Sequence, residues 1–136
     1  MQGQVLLTGA TGFLGGAVLR RLRAEGCPVT GLGRDPSRAA ALRAEGYDLR
    51  EHDLVQAFSP RDIAAIGPVH AIVHCAARSS PHGTSRAFQA ANVTATGHIL
   101  GLGRALGVRR FVFISSSSVS FAPRDQLDVR ETDPLP

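Results

Sequence analysis

The sequence predicts an α/β fold, in which a doubly wound parallel sheet of five strands carries helices on both faces. Short apolar runs alternate with helical patterns along the chain, and this alternation is typical of parallel strands joined by helical crossovers. A glycine-rich loop lies between the first strand and the first helix. The segment 69–75 is apolar almost throughout, as expected for a strand that is buried on both faces.

Each element follows from a local pattern. The strands are predicted at residues 4–8, 28–32, 47–51, 69–75 and 109–116. In residues 13–24 apolar residues recur at four-residue spacing, which indicates the first helix. Asp35 and Ser59 are each followed by proline, a pattern that begins a helix, and these two helices end near residues 46 and 67. A longer helix is predicted over residues 85–106.

Length and composition set limits on the kind of protein. A chain of 136 residues with 43% hydrophobic and 19% charged residues is expected to form one globular domain. Its apolar runs are far shorter than the roughly 20 residues of a membrane span, and no secretory signal follows Met1. Cys27 and Cys75 have no metal or redox spacing. We therefore expect reduced cysteines, no metal site and a cytoplasmic protein.

The charge pattern concerns possible partners. The net charge is +4, and all fifteen basic residues are arginine. A basic balance can indicate nucleic-acid binding. Here the arginines are scattered along predicted helix faces without accompanying aromatic residues, so solvated helix surface is the favoured interpretation. We expect neither a nucleic acid nor a membrane as a partner.

The glycine loop carries the strongest functional signal. Gly9, Gly12 and Gly15 lie between a predicted strand and a predicted helix. In a dinucleotide-binding loop one glycine makes the tight turn, one lets the backbone approach the pyrophosphate, and one lets helix and strand pack closely. The helix N-terminus then offers free N–H groups to the phosphates. The loop predicts a Rossmann-type nucleotide site, and the alternative is an ordinary tight turn.

The loop spacing resembles that of the extended short-chain dehydrogenase/reductase superfamily, in its epimerase/dehydratase and 3β-hydroxysteroid-dehydrogenase-like branches. The segments that carry this resemblance follow the family's order: Thr8-Gly9-Ala10-Thr11-Gly12-Phe13-Leu14-Gly15, His52-Asp53-Leu54, Val73-His74-Cys75-Ala76-Ala77, Ala91-Asn92-Val93 with Thr96-Gly97, and the strand 111–119. The resemblance implies that the first segment binds the cofactor. It also implies that Asp53 and Leu54 contact adenine and that Cys75, Ala76 and Ala77 lie near the ribose and nicotinamide.

The resemblance further implies a role for Asn92. In the family this asparagine supports a helix bend and a proton-relay water, and we place Asn92 among the cofactor-binding residues. A plain polar helix residue is the alternative interpretation.

The end of the second strand bears on the choice of cofactor. An acidic residue there binds the adenosine ribose of NAD, whereas a nearby arginine accommodates the 2′-phosphate of NADP. Gly33 stands at the expected place of the acid, and Arg34 follows it. We therefore favour NADP(H) over NAD(H). Arg34 as a plain surface residue and Asp35 as a ribose ligand remain alternatives, although Asp35 precedes Pro36 and suits a helix cap better.

Family resemblance also implies the chemistry: a tyrosine acts as acid and base, a lysine four residues later lowers its pKa, and a serine orients the substrate oxygen. Ser116, three residues before Val119, aligns with that serine. Ser115, Ser117 and Ser118 are less favoured, and a polar strand end with local hydrogen bonds is the alternative. Tyr47 is the only tyrosine, and the sequence contains no lysine.

The absence of the family's tyrosine–lysine pair determines the domain prediction. We expect residues 1–123 to form the N-terminal part of an NAD(P)-binding Rossmann domain that is incomplete at its C-terminal side. Residues 124–136 are expected to be a loop leading toward a missing Tyr/Lys segment and substrate domain. On this view the 136 residues alone are inactive.

Two classes of function remain. The favoured one is the nicotinamide-dinucleotide-binding part of an oxidoreductase or epimerase/dehydratase that acts by hydride transfer on a small hydroxyl or carbonyl substrate. The alternative is a non-catalytic NAD(P)-sensing module, against which the retained Ser116 argues. The fifth strand would be an uncovered sheet edge, so a homodimer is left open.

Overall fold

The computed structural model describes residues 3–136; Met1 and Gln2, with which the predicted domain begins, lie outside the described residues. The elements follow the predicted order. Their bounds are β1 Val5–Thr8, α1 Phe13–Ala24, β2 Val29–Gly33, α2 Pro36–Ala44, β3 Asp48–Glu51, α3 Pro60–Ile66, β4 Ala71–His74, α4 Ser85–Phe88, a π-helical segment Gln89–Thr94, α5 Ala95–Ala105, β5 Arg110–Phe113 and a 3₁₀ turn Ser117–Ser120.

The sheet confirms the predicted fold class. Its five strands are all parallel and lie in the order β3-β2-β1-β4-β5. The chain enters at the centre, runs outward through β2 and β3, and then crosses to the other side of β1. Strand order therefore reverses between β1 and β4. The loops that leave the carboxyl ends of these two strands diverge and open a crevice, which is where ligands bind in such sheets.

Four of the strands are shorter than predicted. The predictions of 4–8, 47–51, 69–75 and 109–116 are wrong at their ends, since the strands span Val5–Thr8, Asp48–Glu51, Ala71–His74 and Arg110–Phe113. The second strand, predicted at 28–32, is shifted by one residue to Val29–Gly33. Register accounts for this, because Val5 to Thr8 pair with Ala71 to His74, which in turn pair with Arg110 to Phe113. A strand in a sheet extends only as far as its neighbour. Gly9 turns the chain away with a φ of +70° and sets the common limit.

The central strand supplies both faces of the core. Leu6 and Leu7 are adjacent in β1 and both have 0% exposure, yet they belong to different apolar clusters. Successive residues of a strand point to opposite faces, so one strand can anchor two cores. One cluster contains Leu6, Leu32, Leu54, Ile66, Val69, Ile72, Ala95, Ile99 and Leu102, and the other contains Leu7, Ala10, Leu19, Ala39, Leu42 and Leu49.

The predicted helix starts are observed at α2 and α3. The Asp35 carboxylate accepts a hydrogen bond from the Arg38 backbone N–H at 3.0 Å, so Asp35 is the N-cap of α2. At α3, Ser59 and Asp62 form a reciprocal capping box. Both caps satisfy N–H groups that the first helical turn leaves without partners.

The long helix predicted over residues 85–106 is interrupted. α4 passes into the π-helical segment Gln89–Thr94 before α5 continues. Asn92 lies in this segment, and its side chain bonds to the backbone of Arg78. The spacing of apolar residues did not predict the interruption, which accompanies a tertiary contact, but the helix bend that the resemblance implies at Asn92 falls within this segment.

The other end of the sheet is exposed. β5 is an edge strand, and the side chains of Val112 and Phe113 are about half-exposed. Residues 124–136 follow as turns and bends without a helix or strand. Across residues 3–136 no helix combines the length and apolar character needed to cross a membrane.

Candidate cofactor site

A cleft of about 800 Å³ opens at the carboxyl ends of the strands, around the point where strand order reverses. Its volume lies within the range that is usual for cofactor sites. Twelve of the predicted site residues line it: Gly9, Thr11, Gly12, Phe13, Leu14, Gly15, Arg34, Asp53, Leu54, Cys75, Ala76 and Ala77. Thr8, Asn92 and Ser116 do not line it. A second cavity of about 460 Å³ lies within residues 120–134, and it contains none of the predicted site residues.

Two of the glycines shape the loop by close approach. Gly9 has a φ of +70°, and a Cβ atom placed on it would lie 2.9 Å from the Ala76 backbone nitrogen. A Cβ atom on Gly15 would collide with the carbonyl oxygen of Gly9. Gly9 therefore lets the loop after β1 rest against the loop after β4, and Gly15 lets α1 begin directly above the turn.

Gly12 leaves the start of α1 open. It is the N-cap, with extended backbone angles of φ −88° and ψ 177°, and it makes no side-chain cap hydrogen bond. Phe13, Leu14 and Gly15 form the first turn beyond it and all line the cleft. The positive end of the helix dipole and its first N–H groups are therefore available to an anion.

Thr8 supports the loop from beneath instead of lining the cleft. Its buried hydroxyl lies 2.7 Å from His74 Nδ1, and it accepts the Ala76 backbone N–H at 3.2 Å. The other ring nitrogen of His74, Nε2, lies 3.0 Å from the hydroxyl of Thr96. That hydroxyl in turn donates to the Asn92 carbonyl at 2.7 Å.

The hydrogen-bond donors in this network determine the tautomer of the His74 ring. Because the only hydroxyl hydrogen of Thr96 goes to the Asn92 carbonyl, Thr96 can only accept from His74, so Nε2 carries the proton. Nδ1 then accepts from Thr8. Burial lowers the pKa of His74, which favours the same neutral ring. This hydrogen-bond network links the ends of β1 and β4 to the helical segment that follows β4.

Asn92 acts on the rim of the cleft through the backbone of Arg78. Its Oδ1 accepts the Arg78 N–H at 2.7 Å, and its Nδ2 donates to the Arg78 carbonyl at 3.1 Å. The Arg78 guanidinium donates to the His82 carbonyl at 3.2 Å and lies 5.5 Å over the ring of Phe88. Asn92 thus fixes the loop that lines the cleft after β4.

Arginines lie at the end of β2. Arg34 is exposed and lines the cleft, whereas Asp35 is occupied as the cap of α2 and does not line it. Arg38 Nη1 donates to the Thr11 carbonyl at 3.0 Å, which ties α2 to the glycine loop. Sequence reasoning missed Arg38, although its position one helical turn after Asp35 could have indicated it.

Beyond β3, Asp53 and Leu54 line the cleft. The Asp53 carboxylate accepts the Val55 N–H at 3.1 Å, and Leu54 is buried in the core. His52 also lines the cleft, and its ring stacks on that of Phe58 with 4.1 Å between centroids. These residues form the wall on the side of the sheet that holds β2 and β3.

The far wall comes from small residues, of which the sequence analysis named only Ala91. Ala87, Ala91 and Ala95 recur at four-residue spacing, Ala90 lies beside them, and all four line the cleft. Their spacing on one helix face was the available signal. Side chains of this size keep the wall close to the loop without filling the cleft.

The serine segment differs from the prediction in detail. Ser115 lines the cleft, whereas Ser116 begins the 3₁₀ turn. The Ser116 hydroxyl accepts the Ser118 backbone N–H at 3.2 Å and lies 2.7 Å from the Ser118 hydroxyl. The alternative interpretation of a polar strand end with local hydrogen bonds describes this geometry.

Cys75 lines the cleft next to Ala76. Burial raises the pKa of its thiol, so the thiol stays protonated near neutral pH and is a poor nucleophile.

Comparison with known proteins agrees with this geometry. The model of the NAD dependent epimerase/dehydratase family matches residues 5–136. The chain belongs to this family. The resemblance predicted from the glycine loop is confirmed, in the epimerase/dehydratase branch of the two that the sequence indicated.

Individual relatives are similar over nearly the whole chain. A 2-alkyl-3-oxoalkanoate reductase of Shewanella oneidensis is 32% identical, over 94% of this chain and 32% of its own length. A short-chain dehydrogenase/reductase superfamily protein of Agrobacterium tumefaciens with bound NAD superposes with a TM-score of 0.78 at 34% identity, over 97% of this chain and 38% of that one. A UDP-glucose-4-epimerase with bound NAD from Stenotrophomonas superposes with a TM-score of 0.81 at 25% identity, over 98% of this chain and 43% of that one. The chain therefore spans less than half the length of these proteins.

His74 should make stability depend on pH. Because burial lowers its pKa, the unfolded chain takes up the proton before the folded chain does as the pH falls. Stability is then full above about pH 6.5, the usual pKa of histidine, and is lost as the pH falls through the lower pKa of the folded state. We expect Tm to drop between about pH 7 and 5 in wild type and to drop less in His74→Gln.

Thermal unfolding followed by circular dichroism measures both profiles. His82→Gln, at an exposed histidine, is the matched control and should keep the wild-type slope. Parallel profiles for wild type and His74→Gln would show that the buried ring does not carry the effect.

Proposed function

We propose that the chain binds a nicotinamide dinucleotide in the cleft, NADP(H) in preference to NAD(H), as the cofactor-binding part of an oxidoreductase or epimerase/dehydratase. The observation that carries this proposal is the N-terminus of α1, which has no side-chain cap and lies with its glycine loop in the cleft at the point where strand order reverses. When bound, the cofactor would supply hydride transfer to or from a small hydroxyl or carbonyl substrate.

The residues present fit such a cofactor. A side chain on Gly12 would project beside the uncapped helix start, where a pyrophosphate must approach the backbone. Asp53 and Leu54 would bound the adenine, and Cys75, Ala76 and Ala77 lie along the wall after β4. Arg34 is the exposed cation at the end of β2. These residues would bind and orient the cofactor, and the apolar wall of alanines would exclude water from it.

The cofactor loop can be tested with Gly12→Val. Its backbone angles are extended, so valine is conformationally allowed, and a Cβ atom would make one close contact, 3.1 Å from the Gly9 carbonyl oxygen. We expect a folded protein that has lost cofactor binding, because the branched side chain blocks the approach to the N–H groups of α1. Calorimetric titration with NADP⁺ and circular dichroism measure the two properties. Undiminished affinity in a folded Gly12→Val protein would contradict this assignment of the loop.

Arg34 supports the preference for NADP(H). It is exposed at the end of β2, and its planar guanidinium suits a 2′-phosphate. Losing one charge-assisted hydrogen bond costs about 1.5–3 kcal/mol, or roughly ten- to a hundredfold in affinity. We therefore expect Arg34→Ala to weaken NADP⁺ binding by this factor and to leave NAD⁺ binding nearly unchanged. Arg61→Ala, another exposed arginine, which does not line the cleft, is the control. Equal wild-type affinities for the two cofactors would contradict the preference.

In this proposal Ser116 holds the substrate oxygen. A non-catalytic NAD(P)-sensing module is the second candidate, and one observation favours it: the Ser116 hydroxyl is engaged with Ser118 and lies outside the cleft lining. Ser115 is the serine that reaches the cleft. For catalysis, Ser116 would have to exchange its bonds to Ser118 for a bond to substrate.

We expect no turnover from these 136 residues alone. Proton transfer by a positioned side chain typically supplies about 10²–10⁴-fold in rate. The chain has no lysine, and Tyr47 lies under the guanidinium of Arg23, outside the cleft lining. Oxidation of NADPH with a panel of carbonyl compounds, including a 2-alkyl-3-oxoalkanoate such as the substrate named for the Shewanella relative, measures this. Turnover that is lost in Ser116→Ala would overturn the expectation and identify Ser116 as catalytic.

Two further proposals concern the setting of the protein. Both cysteines are free, which supports a reducing, cytoplasmic location. The homodimer that the sequence left open is the second of these proposals.

A further inference from the structure

The last residue of β2 lies directly against the third residue of the glycine loop. Gly33 is buried and lines the cleft. A Cβ atom placed on Gly33 would collide with the methyl carbon of Thr11, and it would lie 2.8 Å from the Thr11 hydroxyl oxygen and 3.1 Å from its Cβ. Any side chain at position 33 must therefore displace Thr11.

Thr11 has little freedom to move. Its carbonyl oxygen accepts a hydrogen bond from Arg38 Nη1 at 3.0 Å. Ala10, before it, donates its N–H to the Leu32 carbonyl at 3.1 Å, and Gly12, after it, donates to the Gly9 carbonyl at 2.8 Å. Rotation about χ1 does not clear the space, since threonine carries two heavy atoms on Cβ and every staggered rotamer leaves a heavy atom in at least one of the two contacting positions. The backbone is held on both sides of the contact.

Position 33 matters because an acidic side chain at the end of this strand is the group that binds the adenosine ribose hydroxyls of NAD. We propose that Thr11 is a determinant of cofactor specificity: its side chain occupies the space that an acid at position 33 would need. An NAD-selecting carboxylate is thereby excluded, and the exposed Arg34 is left as the polar group at the strand end. This inference rests on the proposed cofactor site.

The test is a set of variants that change both positions. Gly33→Asp alone is expected to bind NAD⁺ and NADP⁺ more weakly, by about tenfold or more, because its Cβ atom displaces the loop. Thr11→Gly removes all three contacting atoms, so Thr11→Gly/Gly33→Asp should recover NAD⁺ affinity by at least about tenfold over Gly33→Asp, the effect of one charge-assisted hydrogen bond. It should also prefer NAD⁺ to NADP⁺. Thr11→Ala/Gly33→Asp keeps the contact at 3.1 Å and should lie between the two.

A second pair of variants isolates the contact from charge. Gly33→Ala adds only the Cβ atom, so it should lower Tm, and Thr11→Gly/Gly33→Ala should regain most of that loss relative to Thr11→Gly alone. The melting temperatures can be measured without cofactor. They report on the contact even if the aspartate variants do not fold.

Calorimetric titration with NAD⁺ and NADP⁺ gives the affinities of each folded variant. Coupling between positions 11 and 33, in cofactor preference or in Tm if the aspartate variants are unfolded, supports the proposal. Additive effects of the two substitutions overturn it, as does an NAD⁺ preference in Gly33→Asp alone as strong as in the double variant. If the wild-type protein binds neither cofactor, the result contradicts the proposed function and not the role of Thr11. The wild-type titration alone distinguishes this outcome.

Discussion

Thr8 and His74 lie side by side at the carboxyl ends of β1 and β4, joined by a buried hydrogen bond of 2.7 Å, and the geometry of the cleft depends on this contact. The loops that leave the two strands touch where Gly9 rests against Ala76, and they diverge beyond that point. A buried polar pair is costly unless each group is satisfied. Here every donor and acceptor has a partner, from the Ala76 N–H to the Asn92 carbonyl, so the junction is both polar and rigid.

Local sequence was sufficient to predict the features that local physics determines. The alternation of strands and helices and the caps at Asp35 and Ser59 predicted the fold class, and the glycine spacing marked the loop that lines the cleft. The strand ends were less predictable, because register with a neighbour limits them. The π-helical segment depends on the bond between Asn92 and Arg78, which are 14 residues apart. No periodicity encodes a contact of that kind.

Family resemblance located the loops of the site better than it assigned individual side chains. It placed Thr8 and Asn92 in contact with cofactor, whereas their side chains bond to the backbone that bounds the cleft. Both side chains lie behind the residues that line the cleft, so a sequence motif that includes them also identifies the wall of the cleft that they support. Arg38 lies outside the cleft lining and reaches the glycine loop through its bond to the Thr11 carbonyl, and the alanines of the far wall had their four-residue spacing as their main signal.

The division of the core between the two faces of β1 has a thermodynamic consequence. Leu6 and Leu7 are covalent neighbours, yet each packs into a different cluster, with the sheet between them. Effects of substitutions on stability add when the residues share no packing partners. Truncation of both leucines should therefore cost nearly the sum of the two single losses, the behaviour usually seen for sites far apart in a protein. One strand of four residues thus joins two layers whose packing can vary independently.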